Sequence, residues 1–335
     1  MTTKMTNKGP TISYVTSEDD GPLPVIDITH PAFAVDDDPA TLAREARAFV
    51  AESPQRREMP PHVRELLQRS RLGSGLVAAA GSFLTGLNTY LLKLGPANLG
   101  DGFADIDRRI AASFPAFMTR VRLQDVARLL ADGIAQFPQE DRRPLQFLNI
   151  AGGPAADCWN ALIQLRATHP DRVTHRPIAI AVLDIDTRGP AFGARAIDAL
   201  RQPGAPLHGL DLHHRHLSYD WTHADQLLPA LLADLGAPAA ACAITSEGGL
   251  FQYGSDADII ANLAALRVAT PADAFVVGTV TADDEPARVS QAMSQVPTRP
   301  MPIDTFRQIA ATAGWSVSAI VERPFAYAVR LVKAA

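Results

Sequence analysis

Apolar positions follow two different spacings along the chain, and the change falls near residue 142. Upstream the spacing is helical. Thr41 to Glu52 predicts a helix stopped by Ser53-Pro54, and Pro60-Pro61 opens a second over His62 to Arg71, with proline in its tolerated first turn. Leu72 to Leu92 carries no charge, but Gly73, Gly75, Gly81 and Gly86 dilute it, which predicts a buried small-residue helix rather than a bilayer span. Gly95-Pro96 breaks the chain. Asp105 to Phe114 and Met118 to Phe137 follow, separated at Pro115, with Val121, Leu123, Val126, Leu129, Leu130 and Ile134 forming an apolar stripe. Ahead of these helices, residues 1–38 are polar and acidic around a short apolar run, Leu23 to Ile28. That composition predicts a poorly structured arm lying on the surface.

Downstream, short apolar runs alternate with helical patterns. Strands are expected at Leu145–Ile150, Pro177–Leu183, His216–Tyr219, Ala239–Thr245 and Ala274–Val280. Helices are expected at Ala156–Ala167, Ala191–Arg201, Asp225–Leu235, Asp256–Leu266 and Asp304–Ala313. Such alternation argues for a parallel sheet covered on both faces. Ser316–Val321 and Ala326–Lys333, joined by Glu322-Arg323-Pro324, should form an antiparallel hairpin. The expected fold is α/β and Rossmann-like. It has a mostly parallel seven-stranded sheet with an antiparallel last strand (142–335), behind an all-helical cap (39–141) and the acidic arm (1–38).

Composition narrows the partners. Of 335 residues, 47% are hydrophobic and 20% charged, with a net charge of −5, so a large core is available and no basic footprint for nucleic acid is. Cys158 and Cys242 are the only cysteines, too few for a disulfide framework or a CxxC site. Residues Met1 to Asp20 hold no apolar signal segment, so a cytoplasmic location is expected. A small-molecule substrate is expected, with no nucleic-acid or membrane partner; a homodimer is left open.

Candidate chemistry begins in the first strand–turn–helix of the second half, Asn149-Ile150-Ala151-Gly152-Gly153-Pro154-Ala155. Small residues let the backbone turn sharply and let a ligand approach the main chain. The nicotinamide-type G-x-G-x-x-G fingerprint is not met, because no third glycine follows Gly153. The second strand ends in Asp184-Ile185, where a carboxylate can accept hydrogen bonds from two ribose hydroxyls; the third ends near Asp220-Trp221, an acceptor beside an aromatic plate.

In that order, these strand ends resemble the class I S-adenosylmethionine-dependent methyltransferases over residues 142–335. The family's first motif is acidic-x-Gly-x-Gly-x-Gly. Gly153 matches its middle glycine, Asn149 replaces the acid, and Ala151 and Ala155 replace the outer glycines. The resemblance implies S-adenosylmethionine as cofactor. Asn149, Ala151, Gly152 and Gly153 would hold its methionine half, Asp184 and Ile185 its ribose, and Asp220 and Trp221 its adenine. Ser246 would stand where donor and acceptor meet. The run Ser246-Glu247-Gly248 to Tyr253 is similar to the leucine carboxyl methyltransferase-like branch.

The expected reaction is methyl transfer to a small molecule, as O-methylation in specialised metabolism. N- or C-methylation, a repurposed cofactor-binding protein and a nicotinamide-dependent oxidoreductase are the alternatives. Candidate bases are Glu247, Tyr253 and His216. The histidines His208, His213, His214, His216 and His223 show no recognised metal spacing, so no metal site is expected.

Overall fold

The computed structural model describes residues 11–17, 21–53 and 61–334. Expectations placed on residues 1–10 and on Glu18-Asp19-Asp20, Pro54 and Pro60 lie outside the described residues. The N-terminal elements are β1 (Tyr14–Ser17), β2 (Gly21–Pro24), α1 (Pro39–Glu52), α2 (Pro61–Gln68), α3 (Arg71–Ala79), α4 (Gly86–Leu94), α5 (Asp105–Ala112) and α6 (Phe114–Ala135). Then come β3 (Leu145–Ile150), α7 (Ala156–Thr168), β4 (Ile178–Leu183), α8 (Arg188–Leu200), β5 (Leu212–Leu217), α9 (Ala224–Asp234) and β6 (Ala241–Ser246). The chain continues through α10 (Leu250–Tyr253), α11 (Asp256–Ala269), β7 (Phe275–Thr281), α12 (Glu285–Ser294), α13 (Ile303–Thr312), β8 (Trp315–Arg323) and β9 (Ala326–Lys333).

β3 to β9 form one seven-stranded sheet in the order β5-β4-β3-β6-β7-β9-β8. β9 alone runs antiparallel to its neighbours, so the expected Rossmann-like sheet is the one observed. Every residue of β3 and β6 is buried, as central parallel strands covered on both faces must be. Alternate side chains feed two cores. Phe147, Ile180 and Phe275 join α6, α7 and α8 on one face, while Leu148, Ile244 and Val276 join α9, α11 and α13 on the other. After β3 the chain builds β4 and β5 on one side and then returns to place β6 on the other. The crevice beyond the C-terminal ends of β3 and β6 is therefore a topological switch point.

Five local expectations are corrected. First, from Gly21 onward the arm is not a surface segment. It forms the second strand of a β1–β2 hairpin, and Leu23, Val25 and Ile26 are buried in the core. Tyr90 Oη donates to Pro24 O (2.7 Å) and accepts from Ile26 N (2.9 Å), while Trp159 Nε1 donates to Ile26 O (2.8 Å). Acidic flanks hide this buried strand in the composition. Second, α6, placed with the cap by its helical spacing, lies on the sheet. A Cβ on its Gly133 would stand 2.5 Å from the Phe275 ring, so glycine allows that close approach.

Third, Leu72 to Leu92 is two helices, α3 and α4. Gly81 turns the chain at φ +76°, and Thr85 Oγ1 caps the new start by accepting from Asn88 N (3.3 Å). Fourth, the third strand lies at Leu212–Leu217 instead of His216–Tyr219. It is the sheet's edge strand, and its half-exposed histidines leave no apolar run to read. Fifth, the terminal hairpin turns at Pro324-Phe325, one residue later than expected, with Phe325 at φ +72°. No helix among the described residues is long and apolar enough to cross a membrane.

Candidate functional site

The β3–α7 loop sits in the switch-point crevice and needs left-handed backbone at Ala151 (φ 53°), Gly153 (φ 56°) and Ala155 (φ 62°). These are the three positions where the resembled motif has glycine. An alanine held there costs about 1–2 kcal/mol, which the surrounding contacts must offset. Asp184, at the end of β4, supplies one such contact. Its Oδ2 accepts from Gly153 N (2.9 Å) and its Oδ1 from Asp186 N (2.9 Å). Burial raises the Asp184 carboxyl above its usual value, partly offset by those two donors.

Beneath the loop, Asn149 Nδ2 donates to Asp157 Oδ1 (3.1 Å), and Thr245 Oγ1 donates to Asp157 Oδ2 (2.6 Å). Asn149 Oδ1 is buried without a partner, and a Cβ on Gly152 would fall 2.2 Å from it. Burial, reinforced by the charge of Glu247, pushes Asp157 up to about 6. A carboxylate missing from the motif position is thus present on the first turn of α7, the helix that follows the same strand.

The structure brings Asn149, Ala151, Gly152, Gly153 and Asp184 together around this loop, with Ile185 beside them and 59% exposed. Asp220 and Trp221 follow the neighbouring strand end. Asp220 accepts from Thr222 N (2.9 Å) and Thr222 Oγ1 (2.7 Å), and Trp221 is half-buried. Ser246 is internal: its Oγ donates to Ile150 O (3.0 Å) and accepts from Leu250 N (2.9 Å), fixing the start of α10. α4 closes over the loop, since a Cβ on Gly86 would meet Gly153 Cα at 2.4 Å.

Next to this crevice is a cavity of about 1110 Å³ walled by α1 to α6, α10, α12, the segment after β6, the end of β7 and the β8–β9 turn. Gly248 lines it, and Gly249 packs on Ala151, so the segment after β6 separates cavity from loop. Of the three candidate bases, Tyr253 lines the cavity, and burial raises its phenol. His216 does not reach it: its Nε2 lies 2.9 Å from the backbone O of Asp184, at the sheet edge.

Glu247 is no free base. Its side chain is 3% exposed and lies between Lys93 Nζ and Arg122 Nε, the latter at 2.5 Å. Burial alone would raise its carboxyl, but the charges of Lys93 and Arg122 outweigh that and hold it below the usual range. Arg122 also donates to Gln252 Oε1 (3.1 Å). Burial pulls Lys93 below its ordinary value, against the attraction of Glu247.

Lys93, Arg122, Asp157, Gly86 and Thr281 escape pattern reading. Lys93 left one trace, as a lone charge in the apolar run Tyr90-Leu91-Leu92-Lys93-Leu94. Among the described residues, no group of three or more His, Cys, Asp or Glu side chains gathers to hold a metal.

No family model and no curated protein matches the chain. Solved structures do. A "possible exported protein" from Bordetella parapertussis aligns with a TM-score of 0.56 and 15% identity, over 90% of this chain and 100% of that one. At this identity the likeness bears on the fold alone. The mitomycin 7-O-methyltransferase MmcR aligns at TM-score 0.43 and 13% identity, over 96% of this chain and 80% of its own. LepI, solved with SAM, aligns at TM-score 0.40 and 16% identity; 62% of this chain is covered, spanning 46% of LepI's length.

Proposed function

We propose that the chain is an S-adenosylmethionine-dependent methyltransferase acting on a small-molecule acceptor, as an O-methyltransferase of specialised metabolism. One observation carries the reading: at the sheet's switch point, Asp184 holds the Gly153 amide in a loop whose Gly152 packs on an unpartnered, buried Asn149 Oδ1. The residues fit the cofactor on two counts: Asn149 Oδ1 is an orphan acceptor suited to an ammonium, and Ile185 offers an exposed apolar face at the strand end.

When bound, S-adenosylmethionine supplies a methyl group already activated on a sulfonium. The protein's part is to orient and to exclude water. Asp184 fixes the loop, α4 covers it through Gly86, and the cavity beyond Gly248 receives the acceptor.

Calorimetric titration with S-adenosylhomocysteine tests the reading directly. Micromolar binding is expected, and Asp184→Ala should weaken it by about 1.5–3 kcal/mol, because the loop loses the charged acceptor that holds the Gly153 amide. No binding to the wild-type protein would sink the proposal.

A further inference from the structure

The walls of the cavity are apolar over most of their area, through side chains such as Phe49, Leu67, Leu76, Ile110, Met118 and Phe325. Their charges are one-sided. Among the described residues that line it stand four arginines, Arg64, Arg109, Arg122 and Arg323, against a single carboxylate, Asp125. Asp125 and Asp37 pair with Arg323, each at 2.9 Å, and Glu247 behind the wall pairs with Arg122 at 2.5 Å, so the unpaired positive charge comes from the other two arginines. Arg64 and Arg109 are exposed and have no ion-pair partner among the described residues. Low-dielectric walls strengthen such a positive field toward an incoming anion.

A second observation is independent of charge. Thr281, at the end of β7, lines the cavity and is 5% exposed, yet its Oγ1 has no hydrogen-bond partner. An unpaired buried hydroxyl costs about 1–3 kcal/mol unless something enters to bond it. A third concerns proton removal. Among the described wall residues there is no histidine, lysine, cysteine or glutamate, burial disfavours the ionised form of the Tyr253 phenol, and Glu247 behind Arg122 is clamped between two cations.

We infer that the acceptor enters already ionised, as an oxyanion carried on an apolar body, with its charged end against Arg122 and the Thr281 hydroxyl. The inference rests on the methyltransferase reading for its reaction, but not for its binding site. The acceptor oxygen donates a lone pair to the methyl carbon, the carbon–sulfur electron pair returns to sulfur, and the sulfonium becomes a neutral thioether. No proton is released, so none of the wall residues has to remove one. Ionised carboxylates and acidic enols both satisfy this chemistry.

The test uses two anion–neutral probe pairs on the full chain at pH 8, by calorimetry, with and without S-adenosylhomocysteine. The pairs are 2-naphthoate with 2-naphthamide and 4-hydroxycoumarin with coumarin. At least one anion should bind tenfold or more tighter than its neutral partner, and the pair that discriminates identifies a carboxylate or an enolate. Arg122→Gln should abolish the preference. Thr281→Val should cut anion affinity about tenfold, the loss of one hydrogen bond to a charge. It should also leave the melting temperature unchanged or raised, because the removed hydroxyl has no partner in the protein.

Equal binding of anion and neutral probe, no binding of either anion, or an unaffected preference in Arg122→Gln overturns the inference. S-adenosylhomocysteine binding without anion preference overturns it while sparing the methyltransferase reading. Anion preference without S-adenosylhomocysteine binding does the reverse.

Discussion

Glu247→Gln separates a catalytic base from an ionic hub. Glutamine keeps the side chain's volume but replaces one acceptor oxygen by a donor facing Lys93 or Arg122. Both cations are tightly packed, with side chains 6% and 15% exposed, so neither can turn to water. Lys93 is left as an uncompensated buried charge, since Glu247 is its ion-pair partner. Breaking a buried pair from one side costs about 3–5 kcal/mol, and that is the loss of stability expected at pH 7. The loss should shrink as pH rises. With Glu247 gone, the folded-state value of Lys93 falls further below its unfolded value. The unfolded chain then binds more protons between the two values, and stability climbs with pH across that window. Urea denaturation of the wild type, Glu247→Gln, Lys93→Met and the double variant, at pH 7 and 9.5, measures both effects. The double variant should recover part of the loss, because the more deeply buried cation is gone while Arg122, 15% exposed, is left without its carboxylate. A single-variant loss below about 1 kcal/mol, or no recovery in the double variant, refutes the hub and returns Glu247 to the candidate bases.

Three further outcomes follow from other contacts. Asp157, pushed up to about 6, binds more protons folded than unfolded, so its stabilisation is full below about pH 4 and lost as pH rises to about 6. Asp157→Asn should flatten the melting-temperature profile across that window and exceed the wild type at pH 8 by on the order of 3 kcal/mol; parallel profiles would refute the burial cost. Gly86→Ala forces a Cβ to within 2.4 Å of Gly153 Cα, so stability should fall by about 1–3 kcal/mol and S-adenosylhomocysteine binding should weaken; wild-type values in both assays would show that α4 does not press on the loop. Tyr90→Phe strips the Pro24 carbonyl and the Ile26 amide of their shared partner and should cost about 1–3 kcal/mol, with faster proteolysis before residue 30; unchanged protection would mean the N-terminal strand is held elsewhere.

Much of the fold was legible because strands inside the sheet announce themselves. Leu145–Ile150 and Ala326–Lys333 fall where the apolar runs put them, since both are held in a ladder on each side. β5 was misplaced because it has a neighbour on one side only and spends three of its six positions on histidine. The burial of the N-terminal strand was missed for a related reason. Its burial depends on Tyr90, Trp159 and Asn160, contacts more than 60 residues away, while its own flanks read as solvent-loving acid.

The site divides along the same line. Gly153 and Asp184 could be found because strand-end position alone places them, and the hydrogen bond between them is short-range in the sheet even though 31 residues separate them. Lys93, Arg122, Glu247 and Thr281 come from α4, α6, the end of β6 and the end of β7, and no local spacing links four such elements. Asn149 is the instructive case. Read alone, it is a degraded motif that has lost its acid and with it a charged contact. In the fold its amide nitrogen is consumed by Asp157, 3.1 Å away, which leaves the amide oxygen as the one acceptor turned toward Gly152. The negative charge has moved to the first turn of α7, where the helix N-terminus favours it and burial opposes it. A loop built this way keeps an oriented acceptor but makes its charge depend on pH near 6. An acid at position 149, introduced as Asn149→Asp, would put two carboxylates in contact and should be less stable than the wild type above that pH.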